Sequence, residues 1–342
     1  MKGSSSAARS TAKFFGLTPS ELRKPALRRQ PSAASGSLVL RLPYRAPLCQ
    51  DGLFGHLAAT AVPGVEEWRA GAYRRTLRLP RGHGIVALRP RPEYINCRLT
   101  LTDLRDVSTA IARCRWLLDL DADPVAVDDL LHTDSVLAPL VDKVPGRRVP
   151  RTVDADEFAV RAVLGQQVPT TAARTRATRL VVAHGHPMSD PAGGLTHVFP
   201  DVATLATLDP ATLAVPQARR TALFALIDAL SRDEIDLSAG SDWRQVRAQL
   251  AELPGIGPWT VETIAMRALG DPNAFVSTDL GIRRAARDLG LPGTPSALAE
   301  RAAAWRPWRA YAAQHLWATN DHAINRLPAG GKDCSCTEGT PP

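Results

Sequence analysis

Asp279 follows Val276-Ser277-Thr278 and precedes LGIRRAARDLG, a run with helical spacing. A carboxylate at a helix start is commonly an N-cap for the free amides of the first turn. It can also act as a fixed anion beside a centre that turns positive during reaction. Twenty-two residues before it, Gly257 closes a second informative stretch, LPGIGPWTVETIAMRALG, residues 253–270. Gly255 and Gly257 flank Ile256 between two helical patterns, permit positive φ and leave the backbone bare. Pro258 suits the first position of the following helix, and Gly270 its C-terminal stop. The loop amides then lie at a helix N-terminus, where unpaired N–H groups and the helix dipole attract a phosphate. Such a hairpin grips a nucleic-acid backbone without reading its sequence, although the same glycines also suit a plain corner between helices.

The elements that must hold these residues are legible along the chain. Residues 1–35 are rich in Ser, Ala, Arg and Lys and are expected to be a mostly disordered basic tail. SLVLRLPY alternates as a half-buried strand does, residues 51–60 look helical, and YRRTLRL, GIVALRP and YINCRLTL are three further strands, the first two parted by the turn RGHG. A helix over 104–120 comes next, with Thr102 or Asp103 as cap and Leu104, Val107, Ile111 and Leu118 on one face. These make a small α+β unit over 36–120. Everything from 121 to 327 is expected to be helical: Asp154 and Glu157 start a helix at 155–166, prolines bound helices at 202–208 and 217–231, and Ser241 or Asp242 opens another. Residues 328–342 are polar and expected to be disordered.

Composition narrows the partner. The chain has 342 residues and a formal net charge of +8, supplied almost wholly by arginine. That excess suits a polyanion, because guanidinium forks onto phosphates and releases counterions; a base composition favouring Arg codons produces it as well. The five cysteines, Cys49, Cys97, Cys114, Cys334 and Cys336, have no zinc spacing. No apolar run reaches membrane-spanning length and no signal-peptide core is present, so a soluble, cytoplasmic, nucleoid-associated setting is expected.

LPGIG, a helix, and a short apolar strand-like piece ending in Asp279 together resemble the helix–hairpin–helix/GPD superfamily of DNA glycosylases. Within it the chain looks like the inducible bacterial 3-methyladenine DNA glycosylase (glycosylase II) family over residues 38–327, through FAVRAVLGQQV (158–168), LPGIGPWT (253–260), the Asp279 segment and WRPWRAYAAQHLW (305–317). The resemblance implies a small β-sheet domain followed by two helical domains with a cleft between them. It makes Asp279 (segment 275–290) the catalytic residue and the hairpin 253–258, through Gly255, Ile256 and Gly257, the grip on the DNA backbone. Excision requires the nucleotide to be flipped out of the duplex. The sugar then gains oxocarbenium character, which a nearby anion stabilises. Asp279 would supply that anion and position or deprotonate the attacking water. An alkylated purine such as 3-methyladenine is already cationic and leaves without being protonated.

The resemblance also assigns the pocket. Bifunctional relatives such as endonuclease III and 8-oxoguanine glycosylase carry a Schiff-base lysine where this chain has Trp259, so monofunctional hydrolysis is expected. Trp259 and Trp317 match pocket aromatics, whose faces favour a cationic base; both are also plausible core residues. Two positions depart from the family. Thr263 stands where a pocket Tyr is usual, and Gln167, after Gly165-Gln166, stands where the best-known bacterial member has a Leu wedge. The backbone carbonyls of Ala251, Leu253 and Ile256 match a monovalent-cation site. No cofactor is required, and the iron–sulfur cysteines of endonuclease III-like enzymes are missing. Residues 14–24, FFGLTPSELRK, resemble the end of an arabinose-regulator-type helix-turn-helix domain and read as a remnant of a regulator–glycosylase fusion, or as a start site placed inside a longer fusion gene. Three readings are open: a monomeric glycosylase acting on alkylated purines in double-stranded DNA; a monofunctional glycosylase for a neutral or mismatched base, which Thr263 favours; and a non-catalytic DNA-binding or regulatory protein, for which Asp279 has no use.

Overall fold

The computed structural model describes residues 35–319 and 323–328. The tail, the helix-turn-helix-like stretch 14–24, Cys334 and Cys336 lie outside the described residues. The period-two segments form one antiparallel sheet in the order β1-β5-β4-β3-β2. Its strands are β1 (Gly36–Pro43), β2 (Glu66–Arg69), β3 (Ala72–Leu79), β4 (Gly82–Pro90) and β5 (Tyr94–Leu101), with helix α1 (Gln50–Thr60) between β1 and β2. The sequence reading missed β2, which has only four residues, EEWR, and shows no clean alternation. The RGHG segment lies mostly within β4, the turn being at Pro80-Arg81. Leu40, Leu42, Phe54, Tyr73, Val86 and Leu99 build the core of this unit.

Asp103, not Thr102, caps the next helical piece by accepting from Arg105 N at 2.9 Å. That piece opens as a 3-10 turn and continues as α2 (Val107–Leu117). It buries Ala110, Cys114 and Leu117, whereas Val107 and Ile111 are only partly covered. Then come α3 (Pro124–His132), α4 (Ala138–Lys143), α5 (Ala155–Leu164) and α6 (Thr170–His184). The all-helical expectation fails after α6, because β6 (His186–Pro187) and β7 (His197–Val198) pair antiparallel. This ribbon docks on the N-terminal sheet unit: Thr196 N donates to Gly64 O at 2.8 Å and Arg74 pairs with Asp190 at 2.7 Å. Such pairing is tertiary, and two-residue strands leave no periodicity to read. The rest is helical: α7 (Val202–Ala206), α8 (Gln217–Ser231), α9 (Trp243–Glu252), α10 (Pro258–Arg267), α11 (Leu280–Asp288), α12 (Pro295–Arg301) and α13 (Arg309–Trp317). Among the described residues no helix is long and apolar enough to cross a membrane.

Asp154 caps α5 as read, accepting from Glu157 N at 3.1 Å. The Glu157 side chain does not close a capping box. Instead it joins a buried network in which Arg75 pairs with Glu157 at 2.7 Å and Glu66 at 3.1 Å, while Arg161 pairs with Glu157 at 2.8 Å and Glu66 at 2.9 Å. Burial alone would raise Glu66, but Arg161, Arg75 and the Tyr73 hydroxyl outweigh it and bring its pKa down to about 2. Removing one partner of such a buried set leaves an uncompensated charge and costs about 3–5 kcal/mol. The network therefore fixes the sheet unit against α5, and with it α1 beside the helical region. The 323–328 segment also returns to α1, where a Cβ at Gly55 would collide with the Arg326 backbone.

Candidate functional site

Asp279 is the N-cap of α11, and its Oδ1 accepts from Ile282 N at 2.9 Å. The segment before it is not a strand. Ala274, Phe275 and Val276 are buried, and Phe275 N donates to Glu262 Oε2 at 3.0 Å, tying the segment to α10. Glu262 is held in turn by Arg247 on α9 at 2.8 Å. Two tryptophans complete the carboxylate's surroundings. Trp317 Nε1 donates to Oδ1 and Trp259 Nε1 to Oδ2, each at 2.9 Å. Three donors on a helix-capping carboxylate fix its rotamer.

The hairpin joins α9 to α10 with Pro258 at the first helical position. Gly255 has φ +78°, and a Cβ there would lie 2.8 Å from Ala222 Cβ, so glycine is required both by backbone and by packing. Gly257 differs from the sequence reading: its φ is −89°, which any residue adopts, and nothing lies within 4 Å of an added Cβ. Its bareness faces open space. Ile256 is buried and anchors the loop from below, and Ile256 N donates to Leu253 O at 3.1 Å.

Gln167 is exposed at the end of α5 and holds φ +52°, an unfavourable conformation for a side-chain-bearing residue. Its neighbour Gln166 was not singled out in the sequence. Gln166 Nε2 donates to Gly255 O and to Thr260 Oγ1, both at 3.0 Å, so the Gln167 turn and the hairpin are braced together. Gln167, Gly255, Gly257, Trp259, Asp279 and Leu280 line one open cleft of about 1000 Å³. Leu280, 65% exposed, is a second residue that sequence reading passed over.

A second cavity of about 340 Å³ shares Trp259 and Asp279 with the cleft and is lined also by Thr263, Arg267, Trp317 and His56 among others. Arg267 donates to His56 Nε2, and its guanidinium lies 5.8 Å from the centre of the Trp317 ring. A face expected to attract a cationic base therefore already has a cation over it. Burial draws the Arg267 pKa down to about 10. Burial, together with Arg267 and Arg161, holds His56 well below the ordinary imidazole range. Arg267 was legible in principle, since Trp259, Thr263 and Arg267 recur every four residues along α10 and share a stripe. His56 was not, because α1 is remote in sequence.

Comparison with known proteins agrees with this architecture. Residues 39–154 match the AlkA N-terminal domain family. A Mycobacterium tuberculosis protein named as a probable bifunctional transcriptional activator/DNA repair enzyme AlkA is 57% identical over 91% of this chain, which spans 63% of that relative's length. The DNA-3-methyladenine glycosylase 2 of Escherichia coli is 31% identical over 81% of this chain and 96% of its own. Among solved structures, a 3-methyladenine DNA-glycosylase from Archaeoglobus fulgidus shares the fold, with a TM-score of 0.68 at 18% identity, covering 81% of this chain and 97% of that one. With a relative matched over nearly its whole length and an N-terminal domain of the same kind, this chain belongs to the AlkA, or DNA-3-methyladenine glycosylase 2, family.

Proposed function

We propose that the chain is a monofunctional DNA glycosylase that hydrolyses the N-glycosidic bond of alkylated purines such as 3-methyladenine in double-stranded DNA. The observation that carries this reading is the Asp279 carboxylate, held by two indole N–H groups and a backbone amide where an open cleft meets a base-sized cavity. The names of the mycobacterial and Escherichia coli relatives support the same activity.

In this reading the hairpin amides around Gly257 take a phosphate, Gln167 fills the gap left in the stack, and the flipped base enters the cavity beside Trp259 and Trp317. As the bond breaks, the sugar becomes positive and Asp279 stabilises it without reorganising, since its donors already fix it. Water then bonds to C1′ and loses its proton. Trp259 offers no amine, so no Schiff base forms.

The proposal includes a structural monovalent cation on the carbonyls of Ala251, Leu253 and Ile256. The Ala251 and Ile256 carbonyls accept no backbone N–H among the described residues, which leaves them available as ligands. Such an ion would tie the hairpin to a phosphate. The chain is proposed to act as a monomer at the nucleoid.

Asp279→Asn tests the assignment. Release of 3-methyladenine should fall below detection while affinity for an abasic-site analogue stays within about tenfold, because the charge acts chiefly in the transition state. Activity retained within a few-fold would remove Asp279 from this role. Absence of release by the wild-type chain, with DNA binding intact, would favour the non-catalytic reading. A covalent DNA adduct trapped by borohydride would overturn monofunctional hydrolysis.

A further inference from the structure

We infer that Arg147, Arg148 and the first turn of α1 form a binding site for a phosphate ester, at one end of a cavity that also reaches Asp279. The inference does not depend on the chemistry proposed for Asp279, and it is read by binding rather than by base release.

The cavity, of about 540 Å³, shares Arg267, Asp279 and Trp317 with the smaller one described above and extends to Cys49 and Gly52 on α1. Its lining carries four arginines, Arg147, Arg148, Arg267 and Arg284, against a single carboxylate, that of Asp279. Both oxygens of Asp279 already accept hydrogen bonds, from Ile282 N and Trp317 on one side and from Trp259 on the other. None of the four arginines forms an ion pair among the described residues. A guanidinium taken from water without an anion is costly, and a phosphate oxygen pair matches its fork.

Arg147 is half-buried and makes no hydrogen bond or ion pair among the described residues. It lies against the start of α1: a Cβ at Gly52 would stand 2.9 Å from Arg147 Nη1, so glycine there admits the guanidinium. Cys49 is the N-cap of α1 and supplies no side-chain cap. The amides of Gln50, Asp51 and Gly52 have no acceptor among the described residues, because the first helical bond is that of Leu53 N to Cys49 O. Free first-turn amides beside an unpaired guanidinium are a favourable setting for an anion.

Arg148 supplies the independent observation. It is 3% exposed, and its Nη2 donates to Arg45 O at 2.7 Å and Pro47 O at 3.3 Å. Its Nε and Nη1 have no partner among the described residues. Bracing the 45–47 segment needs Nη2 alone. The nearby acids are engaged elsewhere: Asp119 with Arg151 at 2.9 Å, Asp123 with Arg45 at 2.9 Å, and Asp128 with Gly146 N at 2.7 Å. Burial draws the pKa of both Arg147 and Arg148 below the ordinary arginine range, as it does where no anion compensates. Two sources carry the ligand's chemistry, a phosphodiester of bound DNA and a free nucleotide.

Two variants test the site. Arg147→Gln removes the charge, and Gly52→Ala keeps every charge but crowds the guanidinium. For a DNA phosphodiester, Arg147→Gln should weaken binding to a duplex with an abasic-site analogue by about tenfold and lower the salt slope by about one. One neutral methylphosphonate beside the analogue should then cost wild type about tenfold and the variant nothing more. For a free nucleotide, duplex affinity should stay unchanged. Deoxyadenosine monophosphate should instead raise the wild-type melting temperature by about 2 °C over sodium chloride of equal ionic strength, and Arg147→Gln should lose that rise. Gly52→Ala should weaken the same readout by a few-fold, and it decides the matter if Arg147→Gln melts below wild type in chloride alone. Either pattern supports the site. Duplex affinity, salt slope and nucleotide shift equal to wild type in both variants would overturn it, and would leave the role of Asp279 untouched.

Discussion

Trp259 Nε1 donates to Asp279 Oδ2 at 2.9 Å, and this bond turns an aromatic wall into part of the carboxylate's support. Asp279 is thereby held from both sides, because Trp317 occupies the other oxygen. Trp259→Phe keeps an aromatic ring in the cavity and removes the donor together with part of the ring surface. The rate of base release should fall by about tenfold, in line with the loss of one hydrogen bond to a charged group. Single-turnover kinetics on a 7-methylguanine duplex would measure it, and an unchanged rate would reduce Trp259 to a packing residue.

The two hairpin glycines should respond differently to alanine. Gly255→Ala sets a side chain at φ +78° against Ala222, so it should lower the melting temperature by several degrees. Gly257→Ala has an ordinary φ and open space, so the melting temperature should not change. Its methyl would instead stand where a phosphate is expected to approach. Affinity for undamaged and abasic duplexes should drop alike, and a Gly257→Ala chain that binds both as wild type does would refute the hairpin grip.

Gln166 links the Gln167 turn to the hairpin through Gly255 O and Thr260 Oγ1. Gln166→Ala should leave the fold intact and weaken binding to an abasic duplex by up to about thirtyfold, since two neutral hydrogen bonds contribute about 1 kcal/mol each. Titration by fluorescence anisotropy would read the change. Full affinity would mean that the two DNA-facing loops act independently.

Asp156 on α5 offers a pH test of stability. Burial, followed by the nearby carboxylates Asp154, Asp236 and Asp233, raises its pKa from 3.8 to about 6. The folded chain therefore binds this proton more tightly than the unfolded chain. Ionisation of Asp156 destabilises the fold: the penalty is absent below about pH 4, grows between pH 4 and 6, and is complete above pH 6. Asp156→Asn should raise stability at pH 7.5 by about 1 kcal/mol, solvent screening having discounted the shift. The melting temperature should rise by about 2 °C at pH 7.5 and not at pH 4. An equal gain at both values would show that the charge is not the cause.

What local spacing can encode was readable before the fold. The alternation of SLVLRLPY became β1, Asp154 and Asp242 became caps, and Pro258 started α10. These features depend on backbone geometry within a few residues, so the residues themselves carry them. The resemblance in LPGIGPWT and the Asp279 segment supplied the expected site, and Asp279, Trp259 and Trp317 do meet, across separations of 20 and 38 residues.

Position without partner is where the sequence stopped. Gly257 was legible as a bare loop residue, but not as one with an ordinary φ. Thr263 was legible as a departure from its family, but not as a buried hydroxyl with no partner among the described residues. His56 and Arg267 lie 211 residues apart, and nothing in the local pattern of either points to the other. Their contact exists because the Arg75–Glu157 and Arg161–Glu66 pairs lock the sheet unit onto α5 and bring α1 over α10. The sequence by itself therefore determined the helices and the hairpin, which rest on short-range geometry, while its resemblance to the family pointed to Asp279 as the residue expected to do the chemistry. Only the tertiary structure decided which residues line the cavity together, because that depends on long-range packing of charged groups that no local period records.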